Sequence, residues 1–305
     1  MRKIIISKNE KNQRFDRFIS KYLNKSGNGF IQKMIRKKNI ELNDKKAKPD
    51  TIIKEGDVVK FYLAEGTIKK FREEKFFIKT SKDLNIIYED DNLIVINKPL
   101  GLTIQPDHTN DISLLDMLLT YLNYEEEYSS KTFRPAFINR LDKNTSGIVI
   151  AAKNYSTIKI LNKDLRNRNF TKIYIALTNG MINENIILED YMTRNDRVSY
   201  VNKNKKGKKI ITKLKPIKFN KNYSFIEIEL ITGRTHQIRT HLGSIDHPIL
   251  GDSKYGDKSL EKNYYLHAYK LTINSISDKL EYLKGKTFTA EIPKDFEAKI
   301  EELIR

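Results

Sequence analysis

The chain contains no cysteine. Disulfides, a thiol nucleophile and every zinc site built on thiolates are thereby excluded. Histidine is scarce. The five present, His108, His236, His241, His247 and His267, form no His-x-x-x-His pair with an acid at metal-binding spacing, and no metal is expected. Long apolar runs are also missing: no stretch approaches the roughly 18 residues that span a bilayer. The basic N-terminus holds only the apolar run Ile4-Ile5-Ile6, against about 7–15 residues in a signal peptide. A cytoplasmic protein with no membrane partner is expected.

Acidic residues are outnumbered, 39 against 57 Lys and Arg, for a net charge of +18. Such an excess points to a polyanion, above all nucleic acid. A Lys-favouring genome (43 Lys against 14 Arg) would spread the charge evenly along the chain. It is not even. Residues 1–62 hold 17 basic and 7 acidic residues, whereas the remaining 243 hold 40 and 32. The charge sits at the front, which favours binding over bias. The length of 305 residues suits two domains, and 14 Phe with 16 Tyr supply ample core.

Phe15, Phe18, Ile19, Tyr22 and Leu23 recur at helical spacing, with Arg14, Arg17 and Lys21 between them. A second helix, opening at Asn28 or Gly29, turns Ile31, Met34 and Ile35 inward and Lys33, Arg36, Lys37 and Lys38 outward. A strand at Ile40–Leu42, turns at 43–46 and 54–57, and a strand at Val58–Leu63 complete a module over 1–64. It resembles the S4 RNA-binding domain, a small α/β unit, and the four outward cations are its expected RNA contacts. The charged stretch 65–81 reads as a linker, and residues 82–305 form the second domain.

That domain opens with strands Ile86–Tyr88 and Leu93–Asn97, followed by a core-packing helix at 112–122. Asn154 can cap a further helix. Phe170–Leu177 and Tyr223–Ile231 alternate as strands, while 183–209, ending in the basic run Lys203–Lys209, reads as an irregular insertion. Thr235 can cap a helix over His236–Ser244. His241 shares a face of that helix with Ile238, Leu242 and Ile245, so packing is its expected role.

The domain is organised around 136–150. Two apolar runs, Ala136–Ile138 and Ile148–Ile150, enclose a polar segment in which Asp142 stands between Arg140 and Lys143. Apolar runs so bounded read as strand ends, with Thr145, Ser146 and Gly147 supplying a turn. Asp142 is thus an acid on a rigid loop. Further on, Thr232-Gly233-Arg234-Thr235 puts Arg234 before a helix N-terminus, where an anion is favoured. That anion is either a phosphate or the Asp142 carboxylate.

Asn139-Arg140-Leu141-Asp142-Lys143-Asn144-Thr145-Ser146-Gly147 resembles the His-Arg-Leu-Asp-x-x-Thr-Ser-Gly signature of the RluA-type pseudouridine synthases. Ile87–Asp91 with Asn97–Gly101, Lys172-Ile173-Tyr174, Thr232–Arg239 with His247–Asp252 and Tyr255-Gly256, and Leu266-His267-Ala268 resemble their other motifs in order. The likeness covers about 86–270, and an S4-like front is found in the ribosomal members. One departure is visible: Asn139 stands where the family has His.

The resemblance implies an α+β catalytic domain, a mixed and mostly antiparallel sheet with flanking helices and a cleft. It implies isomerisation of uridine to pseudouridine in RNA without a cofactor. Large-subunit ribosomal RNA is the expected substrate, transfer RNA the runner-up, and a non-catalytic RNA-binding or assembly protein the alternative. A monomer is expected. By the same resemblance Asp142 adds to the nucleoside or abstracts a proton, and Arg234 within ion-pair distance keeps it ionised. Tyr174 stacks on the flipped base, Arg140 fills the vacated stack, and Asn139 contacts RNA.

Overall fold

The computed structural model describes residues 1–305 apart from 74–76, 108–110, 128–131, 196–197, 203, 205, 260 and 305. His108, part of the expected linker and part of the basic run therefore lie outside the described residues.

The front module is built from β1 (Arg2–Ile5), α1 (Phe15–Tyr22), α2 (Asn28–Arg36), β2 (Ile40–Leu42), β3 (Val58–Phe61) and α3 (Glu65–Phe71). The strands form an antiparallel sheet in the order β1-β3-β2. Both longer helices lay their apolar stripes on it. Phe15, Phe18 and Ile19 of α1 and Ile31 and Ile35 of α2 pack with Ile40, Val59 and Phe61. At about 1.5–3 kcal/mol per buried large side chain, this shared core ties both helices to the sheet.

Arg2–Ile5, unassigned from its sequence, is a strand. One expectation changes here: the supposed linker begins with a helix. Its Ile68 is buried in the module's core, with Leu63 and Phe71 against it. The Phe71 ring lies 4.4 Å from that of Phe30, and the Arg72 guanidinium lies 4.0 Å from the centre of the Tyr22 ring. Three apolar residues among many charges give one short amphipathic turn, which composition alone reads as solvent-facing. Helix α3 thus packs against the front module and does not stand free.

The second domain contains β4 (Ile86–Glu89), β5 (Leu93–Lys98), α4 (Leu114–Tyr121), α5 (Tyr124–Glu127), β6 (Ala136–Phe137), β7 (Ser146–Ala152), α6 (Tyr155–Arg166), β8 (Phe170–Asn179), β9 (Ile186–Arg194), β10 (Ser199–Val201), β11 (Lys208–Phe219), β12 (Tyr223–Leu230), α7 (Gln237–Ser244), β13 (Leu266–Ile273), β14 (Thr287–Thr289) and α8 (Lys294–Leu303). The main sheet runs β10-β9-β11-β12-β8-β13-β7-β5-β4, with β14 on β13 and β6 on β7. Its pairings are antiparallel except β13 with β7. The expected α+β architecture, mixed and mostly antiparallel, is what is observed.

The stretch 183–209 is not irregular: it supplies β9, β10 and the start of β11, with Leu188 and Met192 buried and Ile187 and Glu189 facing out. Apolar Ile187 facing out and charged Asp190 on the same side as Leu188 and Met192 hide the period of two.

The centre of the sheet is covered on both faces, so β7 is buried along its whole length and its residues 148–152 read as an unbroken apolar run. One face carries Ile94, Ile96, Val149, Ala151, Tyr174 and Ala268 under α4 and α7. The other carries Val95, Ile148, Ile150 and Ile273 under α6. The α4 helix starts in a full capping box between Ser113 and Asp116, and Asn154 caps α6 as its sequence suggests, accepting from Thr157 N. Gly147 belongs to β7, not to a turn. At φ +109, a Cβ there would lie 2.3 Å from Ala268 O on the parallel neighbour, so only glycine lets β13 approach.

Candidate active site

Asp142 sits on the loop between β6 and β7, under the face covered by α7. Thr145 N donates to its carbonyl at 3.0 Å and closes a tight turn. Its side chain is 29% exposed. Three groups face its Oδ2: Arg239 Nη1 at 2.9 Å, the Tyr264 hydroxyl, which donates at 3.3 Å, and His236 Nε2 at 3.5 Å. No donor reaches Oδ1 among the described residues.

Arg239 projects from α7 and is itself held. Its Nε and Nη2 donate to Oδ2 and Oδ1 of Asp252 at 2.7 and 2.8 Å, a bidentate pair with a carboxylate that is only 1% exposed. The guanidinium also lies over the rings of Tyr264 and Tyr255, at 4.3 and 5.0 Å. Burial works to lower its pKa, but the Asp252 hydrogen bond and the surrounding negative charges outweigh it and hold the pKa above the usual arginine range. One permanently charged fork therefore serves two carboxylates.

The expected partner, Arg234, does not make this pair. Its side chain is exposed and makes no hydrogen bond or ion pair among the described residues. The reason is local. Gln237 turns back, its Oε1 accepting from Arg234 N at 3.1 Å and from Thr232 Oγ1 at 2.8 Å, while its Nε2 donates to Thr212 Oγ1 at 3.0 Å. That knot pins the backbone of 232–237 and leaves Arg234 outside, one and a half turns before Arg239. Nor does Thr235 cap the helix: the cap residue is His236, left-handed at φ 59, with no side-chain cap.

His236 is held from its far side by Tyr255. The Tyr255 hydroxyl accepts from Ser199 N at 3.2 Å and lies 2.8 Å from His236 Nδ1. With the hydroxyl proton directed at Nδ1, the ring carries its own proton on Nε2, toward Asp142. Burial pulls His236 below the usual histidine range, and Asp142 partly opposes it. A Tyr264 proton directed at Asp142 leaves its oxygen free to accept from Thr145 Oγ1, 3.1 Å away.

Lys98 holds the base of the Asp142 loop. Fully buried, its Nζ donates to the carbonyls of Pro99, Leu102 and Lys143 at 2.9, 2.8 and 3.0 Å. Burial pushes it down to about 7, with Asp142 pulling the other way. Three carbonyl acceptors match the three N–H bonds of an ammonium.

Tyr174 is 9% exposed, in one apolar cluster with Leu141, Leu230 and Ala268. Burial, then the Asp142 charge, raises its phenol, which is therefore neutral at physiological pH. Arg140 is exposed beside Asp142, and Lys33, Arg36, Lys37 and Lys38 are all exposed. Of these, Lys37 and Lys38 lie past the last residue of α2, with Lys38 left-handed at φ 61. Asn139 corrects another expectation: both polar atoms of its amide bond to the backbone of β7, so they face the protein and not RNA. Among the described residues no group of three or more His, Asp or Glu side chains is arranged to hold a metal.

No local pattern in the sequence marks Arg239, Tyr264, His236, Asp252 or Lys98 as neighbours of Asp142. The available signal was charge within apolar neighbours: Arg239 follows Ile238, and Asp252 closes the run Pro248-Ile249-Leu250-Gly251.

The family model described as RNA pseudouridylate synthase matches residues 92–244. An uncharacterized RNA pseudouridine synthase of Mycoplasma genitalium is 34% identical over 98% of this chain and 96% of its own. The chain belongs to the RNA pseudouridine synthase family. It is an isomerase acting on RNA, of the RluA type. The synthase is also similar to ribosomal large subunit pseudouridine synthase D of Borreliella burgdorferi, at 32% identity over 90% of this chain and 86% of the relative. Against ribosomal large subunit pseudouridine synthase C of Rickettsia conorii it is 33% identical over 86% and 89%. The solved structure of human RNA pseudouridylate synthase domain containing 4 shares the fold: TM-score 0.59 at 22% identity, covering 72% of this chain and 94% of that one.

Proposed function

We propose that the synthase isomerises uridines of large-subunit ribosomal RNA, with Asp142 as the reacting carboxylate. One observation carries the reading of the site: all three polar contacts to the Asp142 carboxylate fall on Oδ2. One oxygen is fixed by Arg239, Tyr264 and His236, while Oδ1 has no donor among the described residues. An oriented, charge-paired carboxylate with one unengaged oxygen suits either addition to the nucleoside or proton abstraction.

In the overall reaction the N1–C1′ bond breaks, the base turns, and C5 bonds to C1′. The proton displaced from C5 is balanced by one gained at N1, so no cofactor is consumed. The uridine must leave its stack, at a cost of a few kcal/mol. Exposed Arg140 can occupy the space it vacates, and the Tyr174 ring offers a flat apolar face to the flipped base. The exposed cations of α2 suit a phosphate backbone, in keeping with an S4-like role for the front module.

The ribosomal assignment rests on the relatives named as large-subunit synthases and on that basic front. It is tested by mapping pseudouridines in ribosomal and transfer RNA from cells with and without this protein. Sites lost from large-subunit RNA support the proposal. Sites lost only from transfer RNA overturn it.

A further inference from the structure

We infer that Asn139 is a positioning residue: its side-chain amide supplies the last rung of the β6–β7 ladder and thereby sets where Asp142 stands. The inference rests on the reading of Asp142 as the reacting group.

Strand β6 is only two residues long, Ala136 opposite Ala152 and Phe137 opposite Ala151. Ile138 N then donates to Ile150 O at 2.9 Å. Beyond that point the backbone must leave the sheet to carry Arg140–Asp142 to the site. The Asn139 side chain continues the pairing as the main chain departs. Its Oδ1 accepts from Ile150 N at 2.9 Å, and its Nδ2 donates to Ile148 O at 3.0 Å. A primary amide carries donor and acceptor on one carbon, as a peptide group does across its C–N bond, so it can grip two successive rungs of β7 at once.

The far end of the loop is gripped as well. Lys143 O accepts from Lys98 Nζ and from Gly101 N, each at 3.0 Å. Asp142 lies between the two anchors, three residues after one and one before the other. Its meeting with Arg239 needs both, because Arg239 is fixed separately by Asp252 and cannot follow a loop that drifts.

The position is also where this chain leaves the family signature. A histidine has a donor and an acceptor too, on a ring that separates them. Here it is the Asn139 amide that holds the loop.

The test uses the full-length synthase and a transcript of large-subunit ribosomal RNA. Single-turnover rate and RNA affinity are measured separately for Asn139→Ala, Asn139→Asp and Asn139→His. Misplacing a reacting group by about 1 Å can cost on the order of 100-fold, so Asn139→Ala should lose at least about tenfold in rate with affinity nearly unchanged. Asn139→Asp keeps the acceptor for Ile150 N but sets a second acceptor against Ile148 O, and should be as slow. Asn139→His, the family's own residue, should restore most of the rate. Amide exchange at Ile150, followed in parallel, should speed up in the slow variants and not in Asn139→His. An alanine variant with the parent rate and weakened RNA binding overturns the inference and returns Asn139 to the RNA interface. One that is merely less stable, with its folded fraction turning over at the parent rate, overturns it equally. The parent chain is run first on ribosomal and transfer transcripts; product on transfer RNA alone overturns the substrate assignment, and the Asn139 comparison is then made on that RNA.

Discussion

Nη1 of Arg239 lies 2.9 Å from Oδ2 of Asp142, although the two residues are 97 apart in sequence. The same guanidinium closes a bidentate pair with buried Asp252. Geometry at the carboxylate is thus inherited from a second, buried acid.

Arg239→Lys tests that arrangement. Lysine is a point donor and cannot serve both carboxylates in one plane. The single-turnover rate should fall on the order of 100-fold, with RNA affinity largely kept. Arg234→Ala should turn over near the parent rate at saturating RNA. The opposite ranking would return the pairing to Arg234.

Neutralising Lys33, Arg36, Lys37 and Lys38 together with alanine should weaken RNA binding and flatten its salt dependence. Every phosphate that these cations no longer neutralise lowers the log–log slope by about 0.7–0.9. Titration at several salt concentrations measures it directly. An unchanged slope would mean that the face is solvated and binds nothing.

His241 and His267 make folding sensitive to acid. Both are fully buried, and burial lowers each to about 4. Unfolded, each titrates near 6.5, so between pH 6.5 and 4 the unfolded chain binds more protons. The stability they confer is complete above about 6.5 and is lost as pH falls toward 4, on the order of 3 kcal/mol each. Thermal midpoints measured across that window should drop steeply. A flat profile would mean that the two rings are protonated in the fold.

Much of this was legible in the sequence for one reason: local patterns report local structure. The α1, α2, α6 and β12 segments follow apolar spacing, and Asn154 caps α6 as its chemistry suggests. What local pattern cannot carry is which distant group a charge will meet. Arg234 and Arg239 lie in one motif, and only the Gln237 knot and the position of Asp252 decide between them. Asn139 reads as an exposed polar residue until β7 is alongside. Gly147 reads as a turn until Ala268 is found against it. Strands β9 and β10 resemble a loop because Ile187 faces out while Asp190 shares the inward side of Leu188 and Met192.

Asp142→Asn is the most direct test of the account. The substitution preserves shape and removes the negative charge that faces Arg239. Assayed on the natural RNA in a single turnover, the variant should form no detectable pseudouridine while binding RNA with near-parent affinity and unfolding at a similar temperature. Product formed at anything near the parent rate would contradict the assignment of Asp142 as the reacting carboxylate.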